Sequence, residues 1–490
     1  MSKGGIGEKV FSNLIWRFAE RCGAQLVTFT VSIILARLLA PEVYGIIALV
    51  SVFTSILQVF VDSGLGNALI QKKDVDDIDF STVFYSNIVF CIVIYLLLFL
   101  LSPVIADFYE IPELVSVVRV LGLTIIVSGI KNVQQAYVSR KMIFKKFFYA
   151  TLAGTIVAAV TGILMAYCGL GVWALVGQNL MNLCVDTIFL WITVGWKPQF
   201  VFSWRRLKGL YSYGWKMLVS SLLHTIYVDI RQLIIGKLYS SADLALYNKG
   251  KLFPGLIVTN INNSINSVLF PAMSDVQEDR EMVKKMTRMS IRVSGYVMWP
   301  MMLGLVVIAE PLVLLLLTER WRGCIPFLKI FCITNAFSPI QTANLNAIKA
   351  MGHSDLYLRM EIIKKTVGII ILLLVMRHGV MVIAYSLLVY SLFSQVINAW
   401  PNRKLLGYSY LDQLRDIMPF IMLSFVMCIP VFFIGRMNLP KAVILILQVI
   451  VGAIVYLGES IILKLDTYYF VLEQVKALFV SKKCIRRNDH

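Results

Sequence analysis

The sequence predicts an all-α polytopic membrane protein of about fourteen transmembrane helices, in two six-helix lobes related by a pseudo-twofold axis plus two C-terminal helices. Three observations predict it. Hydrophobic segments run almost without pause from Phe11 to Leu465, and nearly all reach the ~20 apolar residues that a bilayer crossing needs. The chain is 58% hydrophobic and 15% charged, with mean hydropathy +0.77. Soluble domains hold roughly 45–50% apolar and about 25% charged residues, so the excess must face lipid. Finally, Lys and Arg collect in alternate connections, as the positive-inside rule requires.

The expected spans lie at about 12–38, 43–69, 80–104, 115–138, 147–168, 170–194 and 213–238 in the first half. They continue at about 248–272, 289–317, 325–350, 357–376, 379–400, 415–435 and 440–464. Charges make the first, seventh and eighth the weakest. Connections rich in Lys and Arg hold Lys72-Lys73, Arg140 to Lys146, Lys197 to Lys208, Arg280 to Arg288, Arg359 to Lys365, Arg403 to Arg415, and the tail Lys482 to Arg487. The opposite connections Asp107–Glu113 and Cys168–Gly171 hold none. This bias puts both termini in the cytoplasm and requires an even number of spans; twelve results if the last pair is misread. It also accounts for most of the net charge of +18 without a nucleic-acid partner.

Residues 1–10 are short and polar and lack a signal-peptide core, so the first helix is expected to stay as an uncleaved span. The eight cysteines form no CxxC pair and only four histidines occur, so no metal site is expected. No GxxxxGK[ST] sequence is present, which argues against ATP hydrolysis in this chain. No cofactor and no catalytic residues are expected.

A weak repeat links Ile33-Ile34-Leu35-Ala36-Arg37-Leu38 to Leu233-Ile234-Ile235-Gly236-Lys237-Leu238, each followed by a short turn and a tyrosine, Tyr44 or Tyr247. Copies with an even number of helices share one orientation, which gives a pseudo-twofold axis along the membrane normal. The organisation expected is an N-terminal lobe over 1–195, a C-terminal lobe over 196–405, and two further helices with a basic tail over 406–490.

Polar residues within the spans fall in helical stripes. Arg17, Glu20 and Arg21 share a face of the first span, as Lys216, His224 and Arg231 roughly do in the seventh. Asn262, Asn263 and Asn266 line the eighth, Asn335, Ser338, Thr342 and Asn346 the tenth, and Gln58, Asp62 and Asn67 the second. Charges within lipid are expensive and usually face a water-filled path. Arg17, Arg21, Lys216 and Arg231, with His224, Asn263, Asn266 and Asn335, are therefore candidates for lining a cationic cavity. Arg and Lys grip phosphate oxygens, and amides suit sugar hydroxyls. Glu20, Asp62, Asp186 and Asp229 are candidates for coupling to H⁺ or Na⁺. The plainer alternative is that amides and hydroxyls bind neighbouring helices, that Glu20 only neutralises an adjacent Arg, and that Arg37, Lys237, Lys249 and Lys251 snorkel to headgroups. Pro254, Pro271, Pro300, Pro339 and Pro419 can kink their helices.

The stretch Trp16-Arg17-Phe18-Ala19-Glu20-Arg21-Cys22-Gly23, with Ile34 to Gly45 after it, resembles Wzx-like bacterial polysaccharide exporters. These are a branch of the multidrug/oligosaccharidyl-lipid/polysaccharide (MOP) flippase superfamily, and the colanic-acid and teichuronic-acid exporter group is the nearest resemblance. Asp62 to Gln71 and Gly169 to Leu175 carry it further. The resemblance implies translocation of an undecaprenyl-diphosphate-linked oligosaccharide from the cytoplasmic to the outer leaflet of the bacterial inner membrane. It also implies alternating access and work beside a polysaccharide polymerase and export machinery. An ion-coupled multidrug antiporter of the same superfamily is the main alternative. A membrane polymerase is disfavoured because no external connection is long, and a purely structural role because buried charges are so many.

Overall fold

The computed structural model describes residues 23–62, 65–71, 75–474 and 476, with the side chains of 67, 68, 71, 211–214, 216, 217 and 268 left aside. Every expected span contains a helix. The first half holds α1 (Gly23–Leu38), α2 (Pro41–Asp62), α3 (Leu65–Gln71), α4 (Asp77–Tyr109), α5 (Leu114–Lys141), α6 (Lys145–Tyr167), α7 (Val172–Val194) and α8 (Trp204–Leu238). The second holds α9 (Ser241–Asp275), α10 (Arg280–Leu316), α11 (Ile325–Ala336), α12 (Ser338–Ala350), α13 (Ser354–Val375), α14 (Val380–Leu405), α15 (Tyr410–Ile434) and α16 (Lys441–Ile462). Eleven helical segments among the described residues are long and apolar enough to cross a membrane. Gly23–Leu38 is shorter, while α9 with its asparagines and α13 with its charges are not among the eleven.

The described residues form two compact units, one up to Ala245 and one from Leu246 onward. The helix α8 packs on α2, α3 and α4 in the first unit. In the second unit α15 packs on α10 and α16.

The repeated motif has a repeated local structure. Helices end at Leu38 and at Leu238, and after two residues new helices begin at Pro41 and Ser241. At this joint the first unit is tight. A Cβ on Gly45 would collide with the Ser241 backbone carbonyl, and one on Gly236 with the Leu49 side chain. Small residues let helix backbones approach this closely. Gly45→Ala is expected to destabilise the first unit by about 1–3 kcal/mol, the usual result of overpacking. A lowered thermal midpoint in detergent checks this; an unchanged midpoint contradicts the close approach.

The end of the first unit that carries the 195–203 connection is stitched by polar caps. Asp76 and Asp79 form a capping box at the start of α4, satisfying two N–H groups with no helical partner. Arg206 pairs with Asp76 and, at 3.4 Å, with Asp79. The Trp196 indole donates to Asp77 (3.2 Å), and Gln199 N–H donates to the Ser81 hydroxyl (3.0 Å). Beneath them Phe80 packs on Tyr137 and Trp196, with ring centroids 5.5 and 5.7 Å apart. At the other end α4 closes on Glu110 in the left-handed region (φ 59°). Lys237 donates to the Glu110 carboxylate (2.9 Å) and holds it below the usual carboxylate range.

In the second unit the tenth span is broken. The helix α11 ends at Ala336 and α12 begins at Ser338, because Pro339 has no N–H for the residue-335 carbonyl and its ring clashes there. Pro254 and Pro271 lie inside α9, Pro300 inside α10 and Pro419 inside α15. Arg288 grips Asp416 through two bonds of 2.7 Å, and Tyr408 donates to the same carboxylate at 2.7 Å. Tyr456 donates to the Tyr296 carbonyl (2.8 Å), tying α16 to α10.

Candidate functional site

The first unit contains a polar cavity of about 380 Å³, a volume in the range of small-ligand sites. Three helical stripes build it. The helix α2 contributes Ser51, Thr54, Ser55 and Gln58; α5 contributes Thr124, Ser128 and Lys131; α7 contributes Asn179, Asn182 and Asp186. Each set follows the spacing of about three and four that aligns side chains on one helix face. The opposite faces carry exposed apolar residues such as Leu123, Ile188 and Ile192, so lipid is left outside and polarity turned inward.

One of the four sequence-predicted carboxylates, Asp186, lines this cavity, and two others, Asp62 and Asp229, are bonded to residues that do. Asp186 is buried and forms an ion pair with Lys131, whose side chain is only 13% exposed. Asp229 on α8 accepts from Ser55 (2.9 Å) and Gln232 (2.9 Å). Asp62 accepts from Gln58 (2.9 Å) and from Asn132 (3.3 Å), the residue after Lys131. Two cavity-lining residues, Ser55 and Gln58, are thus the donors to two of the carboxylates. The spacing of Asp229 and Arg231 does not make them partners on one helix. Arg231 is buried, and its guanidinium lies 5.7 Å from the Tyr227 ring.

The other expected residues are placed as follows. Arg17, Glu20 and Arg21 lie outside the described residues, as does the Lys216 side chain. His224 is exposed on α8. In the second unit Asn263 and Asn266 are exposed on α9, and Asn266 accepts from Asn346 (2.8 Å). Asn262 donates to Ser338 (2.7 Å), so these amides join α9 to α12. Asn335 is half-buried at the end of α11. Lys249, expected to snorkel, is instead buried, its ammonium 5.3 Å from the Trp321 ring.

Lys131 is the cavity-lining candidate that sequence reasoning missed, although a lysine inside the fourth span, beside Asn132 and Gln134, was a visible signal. A second omission is a fully buried amide set, Asn344, Asn402 and Gln413, on α12, α14 and α15.

The fold and this polar site among the spans define a multi-pass membrane protein of the transporter kind. Residues 34–326 match the family described as polysaccharide biosynthesis protein, and the chain belongs to that family. Among its relatives, the succinoglycan biosynthesis transport protein ExoT of Rhizobium meliloti is 25% identical over 343 residues, 70% of this chain and 69% of that protein. Teichuronic acid biosynthesis protein TuaB of Bacillus subtilis is 25% identical over 62% of this chain and 63% of its own length. Lipopolysaccharide biosynthesis protein WzxC of Escherichia coli is 22% identical over 73% of each chain. The fold is similar to that of a lipid II flippase, MurJ, in an inward closed conformation. That match has TM-score 0.75 and 13% identity, and covers 92% of this chain and 99% of the other. An inward-facing multidrug resistance transporter of the MATE family, in the MOP superfamily, matches with TM-score 0.61 at 13% identity over 82% of this chain and 96% of its own.

Proposed function

We propose that this protein is a flippase that carries an undecaprenyl-diphosphate-linked oligosaccharide from the cytoplasmic to the outer leaflet of the bacterial inner membrane, with both termini cytoplasmic. The observation that carries the reading is the polar cavity of the first unit, where the Lys131 ammonium, paired with Asp186, stands among hydroxyl and amide groups of helices of membrane-spanning length. A diphosphate-sugar headgroup cannot enter hydrocarbon unaided, because each unsatisfied polar group costs several kcal/mol there. Hydroxyl and amide groups of the cavity replace water around sugar hydroxyls. An ammonium supplies the counter-charge for phosphate.

The Lys131–Asp186 pair also supports a coupling scheme. A cation bound at the Asp186 carboxylate competes with the Lys131 ammonium and frees it for a phosphate oxygen, so that ion binding and substrate binding are linked. Arg17 and Arg21 are proposed to add positive charge to the path, and Lys216 and Arg231 with them. A polysaccharide polymerase is the expected downstream partner.

The test is lipid analysis of a deletion strain that retains its polymerase and lacks redundant flippases. Lipid-linked oligosaccharide confined to the inner leaflet, and relieved by this gene, is expected. Normal intermediates together with increased drug sensitivity point instead to a multidrug antiporter. In the same strain an Arg17→Glu, Arg21→Glu double variant is expected to reach the membrane yet lower export at least about tenfold, since reversed charge repels the diphosphate. Wild-type export by that variant removes both residues from the path.

A further inference from the structure

The outer side of α4 and α5 in the first unit holds a groove of about 430 Å³. Tyr95 and Phe99 of α4 and Arg119, Val120 and Leu123 of α5 line it. Leu96, Leu100 and Leu123 are exposed on these two apolar helices, so the groove opens toward lipid. Arg119 is its one charged lining residue among those described.

The arginine is pinned rather than extended toward water. Ser102, fully buried, gives its hydroxyl proton to the Phe99 carbonyl (2.7 Å) and accepts from Arg119 Nε (2.9 Å). The guanidinium carbon lies 4.1 Å from the Phe99 ring centroid, within cation–π range. Nε and one face of the plane are thus engaged, and the two terminal –NH2 groups carry the remaining donors. Among the described residues no carboxylate pairs with Arg119.

The depth of the groove identifies the counter-charge. The helix α4 has 33 residues and is about 50 Å long, against roughly 30 Å of hydrocarbon. When it is centred, about 10 Å at each end stands among headgroups. Ser102 and Phe99 lie about 10 and 15 Å before its end, at the edge of the hydrocarbon, where the glycerol phosphates begin. A cation there without a counter-charge is costly, and the surrounding lipid supplies one. A guanidinium fork fits two oxygens of a phosphodiester. Tyr95 and Leu123, one turn deeper than Phe99 and Arg119, continue the groove as an apolar wall for a chain.

We propose that this groove is a phospholipid site: it seats a glycerophospholipid of the leaflet at the 110–113 connection, its phosphodiester on Arg119 and one acyl chain along Tyr95, Val120 and Leu123. The bound lipid bridges α4 and α5 beside the connection that joins them. One guanidinium offsets the single charge of a phosphodiester, and the assignment does not rest on the flippase reading.

The experiment uses full-length protein in detergent, freed of co-purified lipid, with retention read by native mass spectrometry. The probes are dioleoyl phosphatidylglycerol and, without a phosphate, dioleoylglycerol. The wild type is expected to retain phosphatidylglycerol at least about tenfold better, the effect of a charge-assisted hydrogen bond. Phosphatidylglycerol with a photoreactive chain is expected to label Tyr95, Val120 or Leu123 in the wild type. Arg119→Met, which keeps an apolar stem on Phe99, is expected to lower that labelling severalfold. Equal retention of the two lipids, labelling confined to other helices, or undiminished labelling in a folded Arg119→Met variant overturns the site.

Discussion

Asp186→Leu is expected to destabilise the first unit by about 3–5 kcal/mol, the range for breaking a buried ion pair from one side. The Lys131 and Asp186 side chains are 13% and 10% exposed, so removing the carboxylate leaves a largely buried ammonium among α2, α5 and α7 without its partner. Room to relax is small, since a Cβ on Gly154 of α6 would already lie 3.1 Å from the Asp186 Cβ. The double variant Lys131→Met, Asp186→Leu is expected to recover most of the loss, because apolar replacement of a whole buried pair is often neutral. Thermal midpoints of both single variants and the double variant close the cycle. Additive losses, with no recovery in the double variant, contradict a direct pair. The same double variant separates structure from function: it is expected to fold and to lower export at least about tenfold.

Asn344→Leu is expected to destabilise the second unit by about 2–5 kcal/mol. Asn344 donates to Gln413 Oε1 (2.8 Å) and accepts from Gln413 Nε2 (3.1 Å) and Asn402 Nδ2 (2.6 Å). All three residues are fully buried. Losing the hub strands amide groups on α14 and α15, at about 1–3 kcal/mol for each group left unpaired. Replacing Asn344, Asn402 and Gln413 together by apolar residues removes the stranded groups and is expected to cost less than the single change. A single variant with the wild-type thermal midpoint contradicts the network. The consequence for function is rigidity: the break at Pro339 lies just before the network, and the bonds hold the short helix α12 against its neighbours.

These two sites show what a sequence pattern can and cannot deliver. The helices were legible because lipid demands about twenty apolar residues per crossing, and the joints at Leu38 and Leu238 were legible because the same residues recur. Asp62, Asp186 and Asp229 were legible as candidates because carboxylates are rare in apolar spans. Their partners were not. Helical spacing relates residues three and four apart, whereas Lys131 and Asp186 are 55 residues apart and Ser55 and Asp229 are 174 apart. The stripe Thr124, Ser128, Lys131 has the same periodicity as the stripes that were recognised, yet its single charge stands out less than a run such as Trp16 to Arg21. Asn344, Asn402 and Gln413 escaped for another reason. A buried amide in a membrane helix has the same sequence signature whether it lines a path or joins two helices.

The coupling scheme makes Asp186 the gate on Lys131, and it depends on the protein moving a lipid-linked headgroup. The most direct measurement is transbilayer movement of a fluorescent undecaprenyl-diphosphate oligosaccharide in vesicles containing only the purified protein, with an impermeant quencher reporting the leaflet. Movement by the wild type under an ion gradient, abolished in Lys131→Met, Asp186→Leu, is the expected result. No movement by the wild type, with gradient-driven extrusion of cationic drugs from the same vesicles, contradicts the account.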